Sequence, residues 1–117
     1  MDKKAIDKMI PYAYEAIGKK IASKNGDVDK TYRGGVSSFG AAVSMGSLLS
    51  AAAFFSAESS GASYNRKAVG EIIVNTVTEG EIEQSLYEYV KANPNCKNEI
   101  MDAAVAVKLA MNLYKLV

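Results

Sequence analysis

Residues 34–57 read GGVSSFGAAVSMGSLLSAAAFFSA and contain no charged side chain. The run is longer than the roughly 20 residues that a helix needs to cross a bilayer, so a membrane span is one interpretation. Its composition favours a packed helical segment instead, because Gly, Ser and Ala dominate and contribute little to membrane insertion. The flanking residues Arg33 and Glu58 provide no positive cluster that would orient a span. We therefore predict that the run forms the centre of a helical protein, and the membrane span is the least favoured alternative.

The overall composition indicates one domain without metal or thiol chemistry. A chain of 117 residues can bury one hydrophobic core, so we expect a single all-α domain over residues 1–117. The chain has no histidine and one cysteine, Cys96, which argues against zinc sites and Cys–His catalysis. A lone thiol fits a reducing compartment, and residues 1–14 lack the apolar core of a signal peptide. We expect a cytoplasmic protein with no cofactor and no bound metal.

Apolar residues recur at helical spacing along nearly the whole chain, and no segment alternates as a half-buried strand does. This spacing predicts a single compact bundle of about six helices. The first helix is predicted over residues 3–23, with a kink or a restart at Pro11 and an end at Asn25-Gly26. The other predicted helices begin after Asp27 or Asp29, at residue 47, at residue 66, at residue 78 and at residue 96 or 97.

Local signals mark the boundaries of these helices. Whether residues 34–57 form one helix or two is open from composition, and Gly46-Ser47 favours a break because glycine weakens a helix interior. Thr78-Glu79-Gly80-Glu81 has the form of a capping box and predicts the start of the fifth helix. The remaining predicted signals are the loop at residues 58–65, the cap at Asn65, the ends of helices at residues 57, 77 and 115, and the break at Asn93-Pro94-Asn95.

The sequence shows no arrangement typical of an enzyme. Catalysis commonly needs a nucleophile beside a base, a metal cluster or paired carboxylates. Glu79, Glu81 and Glu83 are close together, but they fall at the predicted start of a helix, where acids oppose the helix dipole. The glycines at 34, 35, 40 and 46 match neither a P-loop nor a dinucleotide fingerprint. We therefore expect a protein that is not an enzyme.

Charge is unevenly distributed along the chain, although the net charge is only +1. Residues 1–33 carry eight bases and five acids, whereas residues 58–88 carry two bases and six acids. A basic region of this kind suits phosphate contacts. Tyr32 lies beside Arg33 and Tyr64 lies near Arg66 and Lys67, so both tyrosines are candidates to stack on bases. A solvated helix surface is the alternative interpretation. The candidate RNA-binding residues are Lys19, Lys20, Lys24, Lys30, Arg33, Arg66 and Lys67.

Several stretches together resemble a known family. The central block contains Tyr32-Arg33, SFGAAV at residues 38–43, MGSLL at residues 45–49 and AAFFS at residues 52–56. This block resembles the small subunit of the type III-B CRISPR effector, the Cmr complex. YAYE at residues 12–15 and AMNLYK at residues 110–115 resemble the first and last helices of that family.

The resemblance implies a non-catalytic, all-α subunit that stacks in several copies along the effector and lines the path of the target RNA paired with the guide RNA. Its bases would contact the sugar–phosphate backbone without reading sequence, and Arg33 is the best placed of them. Many family members are more basic, so we expect RNA contact only within the assembled complex. The alternative is a helical protein–protein interaction module, including the related type III-A small subunit.

Overall fold

A computed structural model describes residues 2–58 and 63–117 of the chain. These residues form six helices and two short strands. In chain order they are α1 (Lys3–Lys20), β1 (Asp27–Val28), α2 (Thr31–Met45), α3 (Leu48–Phe54), α4 (Arg66–Val77), α5 (Leu86–Ala92), α6 (Lys97–Met111) and β2 (Lys115–Leu116). The predicted all-α bundle of about six helices is confirmed.

Three helices, α1, α4 and α6, pack against one another at the centre of the molecule. On the outside, α2 packs on α6, and α3 packs on α5. The buried side chains of α1 are Ile6, Met9, Ala13, Ala16 and Ile17, which recur at the spacing of one helix face. The radius of gyration is 12.8 Å, close to the value of about 13 Å expected for a compact chain of this length.

The uncharged run forms two helices, as the Gly46-Ser47 signal predicts. Gly46 follows the end of α2, and the Ser47 side chain caps α3 by accepting a hydrogen bond from the Ser50 amide at 3.1 Å. Small residues let these helices turn tightly, while Phe39 and Phe55 fill the space between them edge to face at 5.2 Å. Helix α3 ends at Phe54, earlier than the predicted residue 57, and Phe55 turns inward.

The first helix ends earlier than predicted, and it does not restart at Pro11. Helix α1 runs through Pro11 without a restart, because the same buried face continues on both sides of the proline and Pro11 itself is exposed. The helix also ends at Lys20 and not near residue 23. The amide of Ala22 bonds back to the Ile17 carbonyl at 3.1 Å, and the chain then turns around Ser23. Gly26, with φ of 80°, belongs to that turn and not to the end of the helix.

The chain also forms two short strands, β1 and β2, of two residues each. Strands β1 and β2 pair in parallel, with Asp27 opposite Lys115 and Val28 opposite Leu116. Two further bonds extend the pairing: the Val117 amide donates to the Val28 carbonyl at 2.9 Å, and the Lys30 amide donates to the Val117 carbonyl at 3.0 Å. The last helix therefore ends at Met111 and not at the predicted residue 115.

The predicted capping box at residues 78–81 does not open a helix. Thr78 follows the last residue of α4, and its hydroxyl donates to the Val74 carbonyl at 2.9 Å and accepts from the Ile82 amide at 3.1 Å. The fifth helix starts only at Leu86, where the Ser85 side chain accepts from the Glu88 amide at 3.2 Å. Glu79, Glu81 and Glu83 therefore lie in the connection between α4 and α5, and not at a helix start.

The remaining boundaries agree with the sequence. Asn65 caps α4, with its side chain accepting from the Ala68 amide at 3.1 Å, and α4 covers the predicted residues 66–77. The Asn93-Pro94-Asn95 break separates α5 from α6. Of the predicted loop at residues 58–65, residues 59–62 lie outside the described part of the chain.

Candidate nucleic-acid interface

The start of α2 is held by the side chain that precedes it by two residues. Lys30 flanks the helix but makes no capping bond with its side chain. Instead, the Asp29 carboxylate accepts hydrogen bonds from the Thr31 amide at 2.9 Å and the Thr31 hydroxyl at 2.8 Å. These bonds hold the pKa of the Asp29 carboxyl below its ordinary value. Of the two predicted caps, Asp29 stabilises the helix start and Asp27 belongs to β1.

The starts of α2 and α4 lie side by side. The Thr31 hydroxyl also lies 3.0 Å from the Ser63 carbonyl, and the Asn65 amide donates to the Tyr32 hydroxyl at 3.2 Å. Lys30 and Arg33 lie at the start of α2, and Arg66 and Lys67 lie at the start of α4. These contacts therefore bring the two pairs of cations to the same side of the molecule. The sequence does not reveal this proximity, because the contacts join residues more than thirty positions apart.

The two cations that begin α4 interact with other parts of the chain. The Arg66 guanidinium lies over the ring of Phe54, 4.2 Å from the ring centroid, and Lys67 pairs with Glu58 at 3.5 Å. A cation over an aromatic face is favourable by about 0.5–1 kcal/mol at an exposed site. These contacts offer a structural reason for basic residues at a helix start, beside the phosphate contact that the sequence predicts.

The basic side chains near the end of α1 differ in whether they form an ion pair. Lys20 pairs with Glu83 at 3.7 Å, and its side chain is 19% exposed. Lys19 and Lys24 are exposed, as are Lys30 and Arg33. Within residues 2–58 and 63–117, these four exposed cations form no ion pair. We call this set, Lys19, Lys24, Lys30 and Arg33, the basic corner.

Acidic groups share the surface of the basic corner. A hollow of about 570 Å³ lies between the end of α1, β1 and the start of α2. Its lining includes Asp27 and Asp29 as well as Lys20 and Tyr32. The charge around this hollow is therefore mixed, which agrees with the near-neutral chain.

Tyr32 and Tyr64 support the fold at this corner. Their rings meet edge to face with centroids 5.9 Å apart, and both side chains are half-buried. A Cβ added at Gly35 would lie 2.6 Å from the Tyr64 ring, so the absence of a side chain at Gly35 makes room for this tyrosine. Both tyrosines thus pack in the α2–α4 contact, which leaves less of their rings for the base stacking that the sequence predicts.

Exposed apolar side chains in the uncharged run are the feature that the sequence reasoning missed. Met45 is 89% exposed, Phe54 52% and Leu49 46%. The run has no charge to indicate which residues face outward, and the sequence analysis places the run as a whole at the centre of the protein. The lack of charge in residues 34–57 is the sequence signal that could have indicated this exposed apolar surface, because a surface without charge suits a protein contact.

Groups suited to metal binding do not assemble in the described residues. None of their His, Cys, Asp and Glu side chains come together in groups of three or more that could hold a metal ion. Cys96 is buried, and burial raises the pKa of its thiol above the ordinary value. The neutral thiol form therefore dominates near pH 7, which makes Cys96 a weak nucleophile.

Comparisons with known proteins leave the chain without an assigned family. No protein family, curated protein or solved structure matches it. A separate observation concerns membranes: none of the helices in residues 2–58 and 63–117 has both the length and the apolar character required to cross one.

Proposed function

We propose that the chain is a non-catalytic small subunit of a type III-B CRISPR effector complex and takes part in antiviral defence. In this proposal it stacks with further copies and with other subunits, and it lines the path of the guide RNA–target RNA duplex through contacts to the sugar–phosphate backbone. The class of complex rests on the resemblance of residues 32–56 to the Cmr small subunit. The basic corner is the observation that supports RNA contact.

The geometry of the basic corner suits backbone recognition better than base recognition. Its four cations stand at the end of α1, in the following turn and at the start of α2, and exposed cations suit contacts with phosphates. A sequence-reading surface would instead present groups that hydrogen-bond to base edges. The tyrosines that could stack on bases are packed between α2 and α4. The specificity for the target sequence would then come from base pairing between the target RNA and the guide RNA.

The experiment replaces Lys19, Lys24, Lys30 and Arg33 together by alanine. The matched control replaces Lys3, Lys4, Lys8 and Lys97, which are also exposed, so both variants lose four positive charges. Each protein carries an N-terminal tag, because the Val117 carbonyl is hydrogen-bonded next to the basic corner. The proteins are purified from cells of the source organism at several salt concentrations, and the copurified RNA is sequenced and quantified per subunit.

We expect the unmodified chain and the control variant to copurify with repeat-derived guide RNA and a multi-subunit backbone. The basic-corner variant should retain less RNA, and the slope of its log binding against log salt should fall by about 0.7–0.9 for each phosphate that it no longer neutralises. Guide RNA retained equally by both variants would refute RNA lining by the basic corner. Copurification of the unmodified chain without any guide RNA would refute the CRISPR proposal itself.

A helical protein–protein interaction module is the second candidate, including the related type III-A small subunit. The exposed Met45, Leu49 and Phe54 favour it, because large apolar side chains on a charge-free surface suit a protein partner. Under this alternative, the same purification yields protein partners, and replacing the basic corner leaves their recovery unchanged.

A further inference from the structure

Two neighbouring hollows along α6 share part of their lining. One, of about 300 Å³, lies between α2 and α6; the other, of about 680 Å³, lies between the start of α1 and the first turns of α6. Met101 and Val105 line both hollows and are half-buried. We call the combined feature the α6 groove. It involves none of the four cations of the basic corner.

Small side chains form the α2 wall of the groove. Ser37, Gly40, Ala41 and Ser44 line it, and their spacing of three, one and three places them on one face of the helix. A Cβ added at Gly40 would meet no atom within 4 Å, so this wall is open to the outside. Small residues at such positions let a second helix approach closely, while Met101 and Val105 provide an apolar floor.

The two ends of the groove differ in charge. Asp2, Glu99 and Asp102 line one hollow, and Lys108 lines the other. Among the residues that the structure describes, none of these four side chains forms an ion pair. Asp2 caps α1 through the Ala5 amide at 3.2 Å, and Glu99 lies in the first turn of α6, where the helix dipole favours an acid. These local roles leave the carboxylates able to attract cations.

We propose that the α6 groove binds an amphipathic helix of another protein, with Lys or Arg at the end that meets Asp2, Glu99 and Asp102. The lining extends over residues 98–108 of α6, about 16 Å at the rise of an α-helix. A partner helix of about three turns covers this length and places apolar residues over Met101 and Val105, the common helix-in-groove arrangement. The acidic end disfavours nucleic acid, and the charged ends disfavour a lipid surface. This inference does not depend on the proposed RNA contact.

The test uses a synthetic helical peptide of 18 residues that carries a leucine stripe and three lysines at one end. One control peptide has the same composition in scrambled order, and a second has glutamates in place of the lysines. Amide chemical shifts of the full ¹⁵N-labelled chain are followed during titration. We expect the lysine peptide to shift residues 37–44 and 98–108 and to bind at least about tenfold more tightly than either control, which corresponds to about 1.4 kcal/mol.

Two matched variants locate the contact. Ala41→Arg fills the groove wall, whereas Ala53→Arg adds the same side chain to an exposed position of α3 outside the groove. Binding should be abolished in the first variant and retained in the second, and Asp102→Asn should weaken it about threefold or more. Equal binding of the scrambled peptide, or no groove shifts with the lysine peptide, would overturn the proposal. It would also be overturned if the same residues shifted with protein concentration alone, because a second copy would then occupy the groove.

Discussion

Gly70 is the glycine at which we expect one added methyl group to lower the stability of the fold most. It lies in α4 and is buried, and a Cβ added there would fall well inside van der Waals contact with the Phe55 carbonyl oxygen and 3.2 Å from the Cβ of Leu86. The Phe55 carbonyl cannot move freely, because the side chain of the next residue, Ser56, makes two hydrogen bonds. Its hydroxyl donates to the Ala52 carbonyl at 2.7 Å and accepts from the Tyr87 amide at 2.8 Å.

The magnitude follows from two opposing effects in Gly70→Ala. Overpacking a filled core costs about 1–3 kcal/mol, and replacing glycine by alanine within a helix gains up to about 1 kcal/mol. Because the clash is with a backbone carbonyl, the cost should lie in the upper part of that range, about 2–3 kcal/mol. After the gain of about 1 kcal/mol, we expect the free energy of unfolding to fall by about 1–2 kcal/mol. For a chain of this size, the midpoint of thermal unfolding should fall by roughly 4–8 °C.

Gly34→Ala is the matched control, because Gly34 lies in α2 and a Cβ there would meet no atom within 4 Å. This variant should be as stable as the unmodified chain or more stable by up to about 1 kcal/mol. Urea unfolding followed by circular dichroism at 222 nm measures both variants. The close approach of α4 to Phe55 is refuted if Gly70→Ala unfolds at the same urea concentration as Gly34→Ala.

Two further predictions concern the helix starts. Ser85→Ala should lower the free energy of unfolding by about 1 kcal/mol, because the Glu88 amide loses its cap; an unchanged urea midpoint contradicts this. Asp29→Asn should alter how stability depends on pH. Since the folded-state pKa of Asp29 is depressed by its bonds to Thr31, the ionised carboxylate stabilises the fold above its unfolded-state pKa of about 4. That contribution is lost as pH falls through the folded-state pKa, so the stability difference between the two proteins should shrink from pH 6 to pH 3. A constant difference across this range argues against the role of the charge.

Boundaries set by neighbouring residues could be predicted from the sequence. The Asn65 cap and the Gly46-Ser47 break depend on backbone groups within a few positions, and both occur as expected. Thr78 shows the limit of this reasoning, because a hydroxyl before a glutamate can bond backward to the preceding turn as well as forward. Ser85 and Glu88 have the same spacing as Thr78 and Glu81. Only tertiary packing decides whether a helix begins after Thr78 or after Ser85.

Contacts between distant parts of the chain could not be predicted. The pairing of β1 with β2 involves two residues on each strand. Two residues are too few for a periodic pattern to appear. The candidate site shows the same limit. The sequence identifies the bases, but the pairing of Lys20 with Glu83 and the position of Arg66 over Phe54 depend on how separate elements pack. Three of the seven candidate basic residues, Lys20, Arg66 and Lys67, contact other side chains of the chain, and the four exposed ones form the basic corner.

The pairing of β1 with β2 also closes a long loop of the chain. The Lys30 amide bonds to the Val117 carbonyl, so residues near the start of α2 must meet a segment almost ninety positions away before their backbone bonds are complete. Contacts between such distant segments form late in folding, because a long loop must close first. We therefore expect the backbone around Lys30 to take its final form late in folding.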